Sequence, residues 1–333
     1  MTVHQRLNDK EEITMFRFNH RIERDGMYRN ASMVMVAVSV AVALLMLPVS
    51  AQEGKQKAFG SPEEAMKALV ETVKTGDTKG MMAVLGPEGE DIIDSGDKVQ
   101  DKNAQEQFVK AYQEKVDYVK EKEDRVSVIL GNDNWPFAIP IIRKAEGWMF
   151  DTKAGREEML NRRVGWNELN AVQVCQAYVE AQREYASTDR EQDGVIQYAQ
   201  KVMSDPYRRN GLYWEVGEGE IPSPLGPFIA QAAQRGYTKK GDKPIPYRGY
   251  YYKILKGQGK NAPGGAYQYV INGHMVAGFA LVAWPAEYNV SGVMTFVVNQ
   301  NGTVYEKDLG LKTGELAKAM THYNPDRTWK RAQ

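Results

Sequence analysis

The chain has 333 residues, with 43 Lys and Arg against 43 Asp and Glu, and 42% of its residues are hydrophobic. A balanced charge gives no broad field to hold a phosphate backbone or an anionic lipid surface, so electrostatically driven nucleic-acid binding is excluded. The single cysteine, Cys175, excludes an internal disulfide, and stability must come from ordinary apolar burial.

At the start of the chain, Arg21, Arg24 and Arg29 precede an apolar run over 33–47, broken only by Ser39. Pro48-Val49-Ser50-Ala51-Gln52 follows. A basic flank, a short apolar stretch and a small residue at its end predict a secretory signal peptide over 1–51, cut between Ala51 and Gln52. The competing reading is a retained anchor, but a span needs roughly 20 apolar residues and this run is shorter. Residues 1–26 are long and mixed in charge for such a leader, which makes Met27 an alternative start. No cysteine follows the run to carry a lipid. The expected location is periplasmic or secreted, with no stable anchor after cleavage. Without 1–51 the charges stand at 37 Lys and Arg against 38 Asp and Glu.

The rest divides, on pattern, into two α+β domains, 52–164 and 165–333. Ser61-Pro62-Glu63-Glu64 predicts a helix start, with Ser as N-cap and Pro in the first turn. Ala65, Leu69 and Val73 continue it as one apolar stripe. A second short helix is expected over 81–85, closed by Gly86-Pro87. A third is expected over 103–121, with Phe108, Ala111, Tyr112 and Val119 near one face. Strands then follow: 125–130 alternates, and 137–151 is a hairpin turning at 144–147. The segment 154–163 reads as a separate helix. Helices first and an antiparallel sheet afterwards is the α+β order. That order, with the strand Gly147-Trp148-Met149-Phe150-Asp151 after a polar turn, resembles the curved-sheet cone of nuclear-transport-factor-2-like domains.

The second domain opens with a helix over 167–187, striped by Ala171, Val174, Cys175, Tyr178, Ala181 and Tyr185 at steps of three and four. Cys175 sits mid-stripe with no partner thiol, so it reads as a small buried apolar residue rather than a redox group. The sequence Arg190-Glu191-Gln192-Asp193-Gly194 lacks the alternating oxygen ligands of a calcium loop. From 205 to 249 the chain is rich in Gly and Pro, which predicts loop and turn with one short helix over 227–234. Long loops within a domain are often functional, so a ligand is sought here first. Residues 250–255 form a strand with Tyr250, Tyr252 and Ile254 on one face and Tyr251, Lys253 and Leu255 on the other. The glycine-rich 257–266 lacks the Lys-Ser/Thr ending of a phosphate loop. Strands over 275–285 and 292–299, with a kink at Gly278, lead to a hairpin at Asn301-Gly302. Phe279, Leu281, Phe296 and Val298 are expected in the core, under the 167–187 helix.

Eight blocks carry a family resemblance, beginning with RRVGWNEL at 162–169, AYVEAQREYA at 177–186 and GLYW at 211–214. SPLGP at 223–227, PYRGYYYKIL at 246–255 and APGGA at 262–266 come next. GFALVAWPAEY at 278–288 and GVMTFVVNQNGTVYEKDLG at 292–310 complete the set. Together they resemble the bacterial exported-protein family called domain of unknown function 2950, across essentially all of 52–333. The resemblance implies an exported protein and supplies no catalytic residues. The helix-then-sheet order of the second half also resembles the globular head of pilin-like proteins, without their apolar helical stem.

Chemistry is sparse in this sequence. After the leader there are two histidines, His274 and His322, and no Gly-x-Ser-x-Gly elbow. Carboxylate pairs such as Glu157/Glu158 or Glu218/Glu220 fit a glycosidase only if a cleft brings them together. Arg162-Arg163 near Glu168 suggests a salt-bridge cluster between the domains. Aromatics with polar tips are abundant and suit interfaces and sugar-like surfaces. Tyr213, Trp214, Tyr250, Tyr251, Tyr252 and Trp284, with His274, are therefore the candidate binding surface. No metal or cofactor is expected, and the expected partner is an envelope protein or polysaccharide. The sequence favours a non-catalytic binding or assembly factor of the envelope, against a hydrolase acting on an envelope polymer.

Overall fold

A computed structural model describes residues 56–332 other than 218, 221 and 238–243. The predicted leader, its Ala51-Gln52 cleavage site and the alternative start at Met27 lie outside the described residues. Among those described, no helix is long and apolar enough to cross a membrane. The architecture is α+β, with two antiparallel sheets of four and five strands and their covering helices.

The first helix, α1 (Pro62–Thr75), starts as its sequence dictates. Ser61 is extended and its hydroxyl accepts from the Glu64 amide, while Gly76 closes the last turn in the left-handed region. Helices α2 (Thr78–Leu85), α3 (Glu90–Ile93) and α4 (Lys98–Glu114) follow. The helix expected to run to 121 stops earlier, because Val116–Lys122 is a strand, β1. Val116 and Tyr118 pair with Leu130 and Val128 of β2 (Arg125–Leu130), and cross-strand pairing outweighs a helix stripe that was weak here. β3 (Trp135–Lys144) and β4 (Gly147–Phe150) complete the order β1-β2-β3-β4. Their inner face, with Val128, Leu130, Ile139, Ile141 and Phe150, packs on Ala65, Met66 and Leu69 of α1.

The two helices expected over 154–163 and 167–187 are one helix, α5 (Thr152–Tyr185). The expected domain boundary at 164/165 falls inside it. Its N-terminal part lies on β3, where Gly155 approaches so closely that an added Cβ would sit 2.6 Å from Ile139 Cα. Its C-terminal part lies on the second sheet, and Ala171, Cys175, Tyr178, Ala181 and Tyr185 are buried there.

After α6 (Gly226–Gln234) come β5 (Tyr250–Leu255) and four two-residue strands: β6 (Gly257–Gln258), β7 (Tyr267–Gln268), β8 (Val270–Ile271) and β9 (His274–Met275). Then come β10 (Ala280–Pro285), β11 (Met294–Asn299), β12 (Tyr305–Asp308), helix α7 (Thr313–Ala319) and β13 (Lys330–Arg331). The five-stranded order is β13-β12-β11-β10-β5. All six residues of β10 are buried, because both faces are covered. Ala283 pairs with Phe296 and Tyr252, and this face packs under α5. The other face meets α7, where Lys253 Nζ donates to the Ala317 and Lys318 carbonyls. Phe279, Leu281, Phe296 and Val298 are all core residues. Asn301-Gly302 lies in the β11–β12 connection, but pairing begins only at Val297 with Tyr305, so the loop is wider than a two-residue hairpin.

Buried polar groups join the two cores. Asp97 Oδ1 caps α4 by accepting from Val99 and Gln100, while Oδ2 accepts from the Tyr237 hydroxyl and the Gly249 amide. Asn167, fully buried, donates to Gln100 Oε1 and to the Ser291 carbonyl. The expected cluster of Arg162, Arg163 and Glu168 does not form. Arg162 pairs with Glu158 one turn back, and Arg163 donates to the Asp91 and Ile92 carbonyls. Glu168 instead accepts from the amides of Val293 and Met294, fixing the start of β11.

Candidate functional site

The seven aromatic and histidine candidates do not share one surface. Tyr250 is fully buried and its hydroxyl donates to the Met294 carbonyl. Tyr252 turns the same way, towards α5, and its hydroxyl is buried without a hydrogen-bond partner. Tyr251 and Trp284 lie on the opposite face as a ring pair 5.7 Å apart. Tyr213 and Trp214 belong to the long loop region. Trp214 is covered by the guanidiniums of Arg190 and Arg209, 5.8 and 5.6 Å from its ring centre, with the Tyr185 ring against its edge. These rings mostly build the core and its cover, as aromatics with large apolar area generally do. Of the carboxylate pairs, Glu158 is held by Arg162 and Glu220 lies 3.8 Å from Arg209.

His274 is placed differently. It follows the Asn272-Gly273 turn of the β8–β9 hairpin and lines a polar pocket of about 470 Å³. That volume is within the range of small-molecule sites. Four separate segments supply the walls: 191–201, Asn210, Lys256, and Gly273 with His274.

Hydrogen bonds sort the lining into two groups. On the acidic side, Gln197 Nε2 donates to Glu191 Oε1 at 3.2 Å and to Asp193 Oδ2 at 3.4 Å. His274 Nδ1 lies 3.6 Å from Asp193 Oδ2 and is buried without a hydrogen-bond partner. The loop that carries these acids is tied by Asp189, whose carboxylate accepts from the amides of Gln192 and Gly194. Those amides, that of Gly194 first, lower its pKa. On the basic side, Lys256 Nζ donates to Gln200 Oε1, and Gln200 Nε2 donates to the Gly273 carbonyl at 2.6 Å. Lys201 Nζ and Asn210 Nδ2 both donate to Asp205 Oδ2, at 2.6 and 2.8 Å. These two donors, Lys201 first, hold the Asp205 carboxyl below its usual range.

The pocket thus offers two carboxylates, two ammonium groups, an imidazole and three side-chain amides. An ammonium has three donors, and Lys256 spends one within the protein. None of the lining residues is a Ser, Thr or Cys, so the pocket itself holds no hydroxyl or thiol nucleophile. Among the described residues, no group of three or more His, Cys, Asp and Glu is placed to hold a metal ion. The second histidine, His322, lies elsewhere, between Thr321 Oγ1 at 2.8 Å and Gln268 Nε2 at 3.0 Å.

Of the sequence candidates only His274 reaches this pocket. Glu191 and Asp193 were visible only as part of a loop that fails the calcium pattern. Gln197, Gln200, Lys201, Asn210 and Lys256 carried no signal, because polar residues on separate loops have no spacing to read.

The model of the family described as "Protein of unknown function (DUF2950)" matches residues 56–332. The chain belongs to this family. No curated protein and no solved structure gives a match. The DUF2950 match covers both sheets, the α5 helix and every residue that lines the pocket.

Proposed function

We propose that this DUF2950 protein is exported and acts as a non-catalytic binding protein of the cell envelope, taking a polar ligand that its charged and amide groups hydrogen-bond. The observation that carries the reading is the pocket itself: acidic and basic groups, hydrogen-bonding amides, and no hydroxyl or thiol nucleophile in its walls. Export rests on the basic flank and short apolar run ahead of Ala51. Fixed charges of opposite sign in a concave site orient a zwitterion, and each well-placed charged contact there is worth about 1.5–3 kcal/mol.

The test is calorimetric titration with amino acids, dipeptides and amino sugars. Binding should weaken roughly tenfold or more in Lys256→Ala and in Asp193→Ala, in line with about 1.4 kcal/mol per decade. Equal affinity in the wild type and both variants would place the ligand elsewhere.

A hydrolase reading has one observation behind it, the approach of His274 to Asp193 within the pocket. A histidine oriented by a carboxylate is the arrangement of a general base acting on water, and His274 would reach it once Asp193 closes from 3.6 Å to hydrogen-bond distance. Release of products from purified envelope polymer, abolished in His274→Ala, would favour it. Binding without turnover would favour the first reading.

A further inference from the structure

The turn over 205–208 is tied through Asp205 to the pocket residues Lys201 and Asn210, and it holds a residue whose conformation the fold does not explain. Tyr207 is fully exposed and adopts φ +62°. It follows Pro206 in a turn closed by the Arg208 amide on the Asp205 carbonyl at 3.0 Å. The third position of such a turn suits Gly or Asn, and a bulky side chain there strains the backbone. A single exposed aromatic needs no explanation by itself. A strained one, on a turn bonded to pocket residues, does.

The turn is held from several directions. Asp205 accepts from Lys201 and Asn210, which both line the pocket, and its own amide donates to Asn210 Oδ1. The Tyr185 hydroxyl at the end of α5 donates to the Arg209 carbonyl at 2.7 Å. The Ser204 amide donates to the Tyr213 carbonyl and closes the loop. The backbone that carries Tyr207 is therefore tied down, and two pocket residues, Lys201 and Asn210, take part in the tie.

We propose that Tyr207 is a stacking platform for a pyranose ring, and that the ligand of the adjoining pocket is a glycan. The inference rests on the reading of that pocket as a binding site. A sugar ring has an apolar C–H face that an aromatic ring covers, and a rim of hydroxyls. The carboxylates of Glu191 and Asp193 accept from such hydroxyls, and the amides of Gln197, Gln200 and Asn210 both donate and accept. An apolar peptide would meet Tyr207 well but would leave the spare donors and acceptors of these groups without partners.

The test titrates the full chain with two probes, β-1,4-linked N-acetylglucosamine hexasaccharide and cellohexaose. Tyr207→Gly is the informative variant, because glycine fits the positive φ. It should raise the melting temperature yet weaken oligosaccharide binding at least tenfold, while Tyr207→Phe binds as the wild type does. Lys256→Ala should weaken the same probe. Undiminished binding in Tyr207→Gly would overturn the platform. Binding of dipeptides but of neither oligosaccharide would overturn the glycan and leave the pocket reading intact. Failure of both probe classes would remove both readings. Loss of a protein partner in Tyr207→Gly, without any oligosaccharide binding, would also overturn the glycan and make the turn a protein contact.

Discussion

The amide of Gly249 donates to Asp97 Oδ2 at 2.8 Å, joining residues 152 positions apart in the chain. Asp97 is 1% exposed and accepts four hydrogen bonds, two from its own helix and two from the far half of the chain. Asp97→Ala removes a helix cap and leaves buried donors without acceptors. The expected loss is roughly 3–5 kcal/mol. Urea unfolding followed by tryptophan fluorescence and by circular dichroism measures it. Because the carboxylate ties both cores, the two probes should shift together. A variant that loosens only one half would show that the halves unfold independently.

Two glycines ten positions apart on α5 should respond in opposite senses to alanine. At Gly155 an added Cβ would lie 2.6 Å from Ile139 Cα and 2.7 Å from the Ala138 carbonyl oxygen. Backbone atoms cannot yield as a side chain would, so Gly155→Ala should cost about 2–3 kcal/mol. At Gly165, exposed in the middle of the helix, a Cβ meets nothing within 4 Å. Gly165→Ala should add about 0.5–1 kcal/mol of stability. Thermal melts of the two variants decide the matter, and a loss at Gly165 would mean the helix bends there for a reason.

The same helix shows what the sequence could and could not disclose. The start of α1 was legible because Ser61, Pro62 and Gly76 act locally, within one turn. The strands from Tyr250 to Asp308 were legible because alternation and turn residues are also local. The sequence predicts two helices with a domain boundary at 164/165, yet α5 continues, since contacts of Asn167 and Glu168 with the 291–294 segment hold it across that point. Tertiary contacts outweigh a propensity penalty of about 1 kcal/mol. Likewise β1 passed for helix, because only its partner β2 settles its conformation. The pocket was the least legible feature. Its polar walls come from four separate segments, and nothing at the level of spacing sets Lys256 near Gln200.

Cys175 gives a chemical check on the core. It is fully buried under the second sheet, and desolvation pushes its thiol up to about 12. The thiolate is the reactive form, so the native protein should resist a disulfide reagent at pH 8 and react fully once unfolded. The labelling rate should follow the unfolding equilibrium as urea is added. Rapid labelling of the native chain would mean that α5 lifts from the sheet far more readily than its packing implies.

Glu168 and Glu306 supply a prediction about pH. Burial first, and then the charge of Glu168, raises the pKa of Glu306 above its ordinary 4.5, with Lys330 offsetting part of the rise. A carboxyl with a raised native pKa keeps its proton in the folded state while the unfolded chain loses it. Stability therefore falls as pH climbs from 4.5 through the native value, and the full penalty remains above it. Glu168→Gln keeps an acceptor oxygen for the Val293 and Met294 amides but removes the charge. The titration of Glu306, followed by carboxyl carbon chemical shift, should move back towards 4.5, and the loss of stability on raising pH should shrink. An unchanged Glu306 titration would mean that burial alone sets it. A collapse of stability at every pH would instead show that the anionic charge of Glu168 is needed to hold the start of β11.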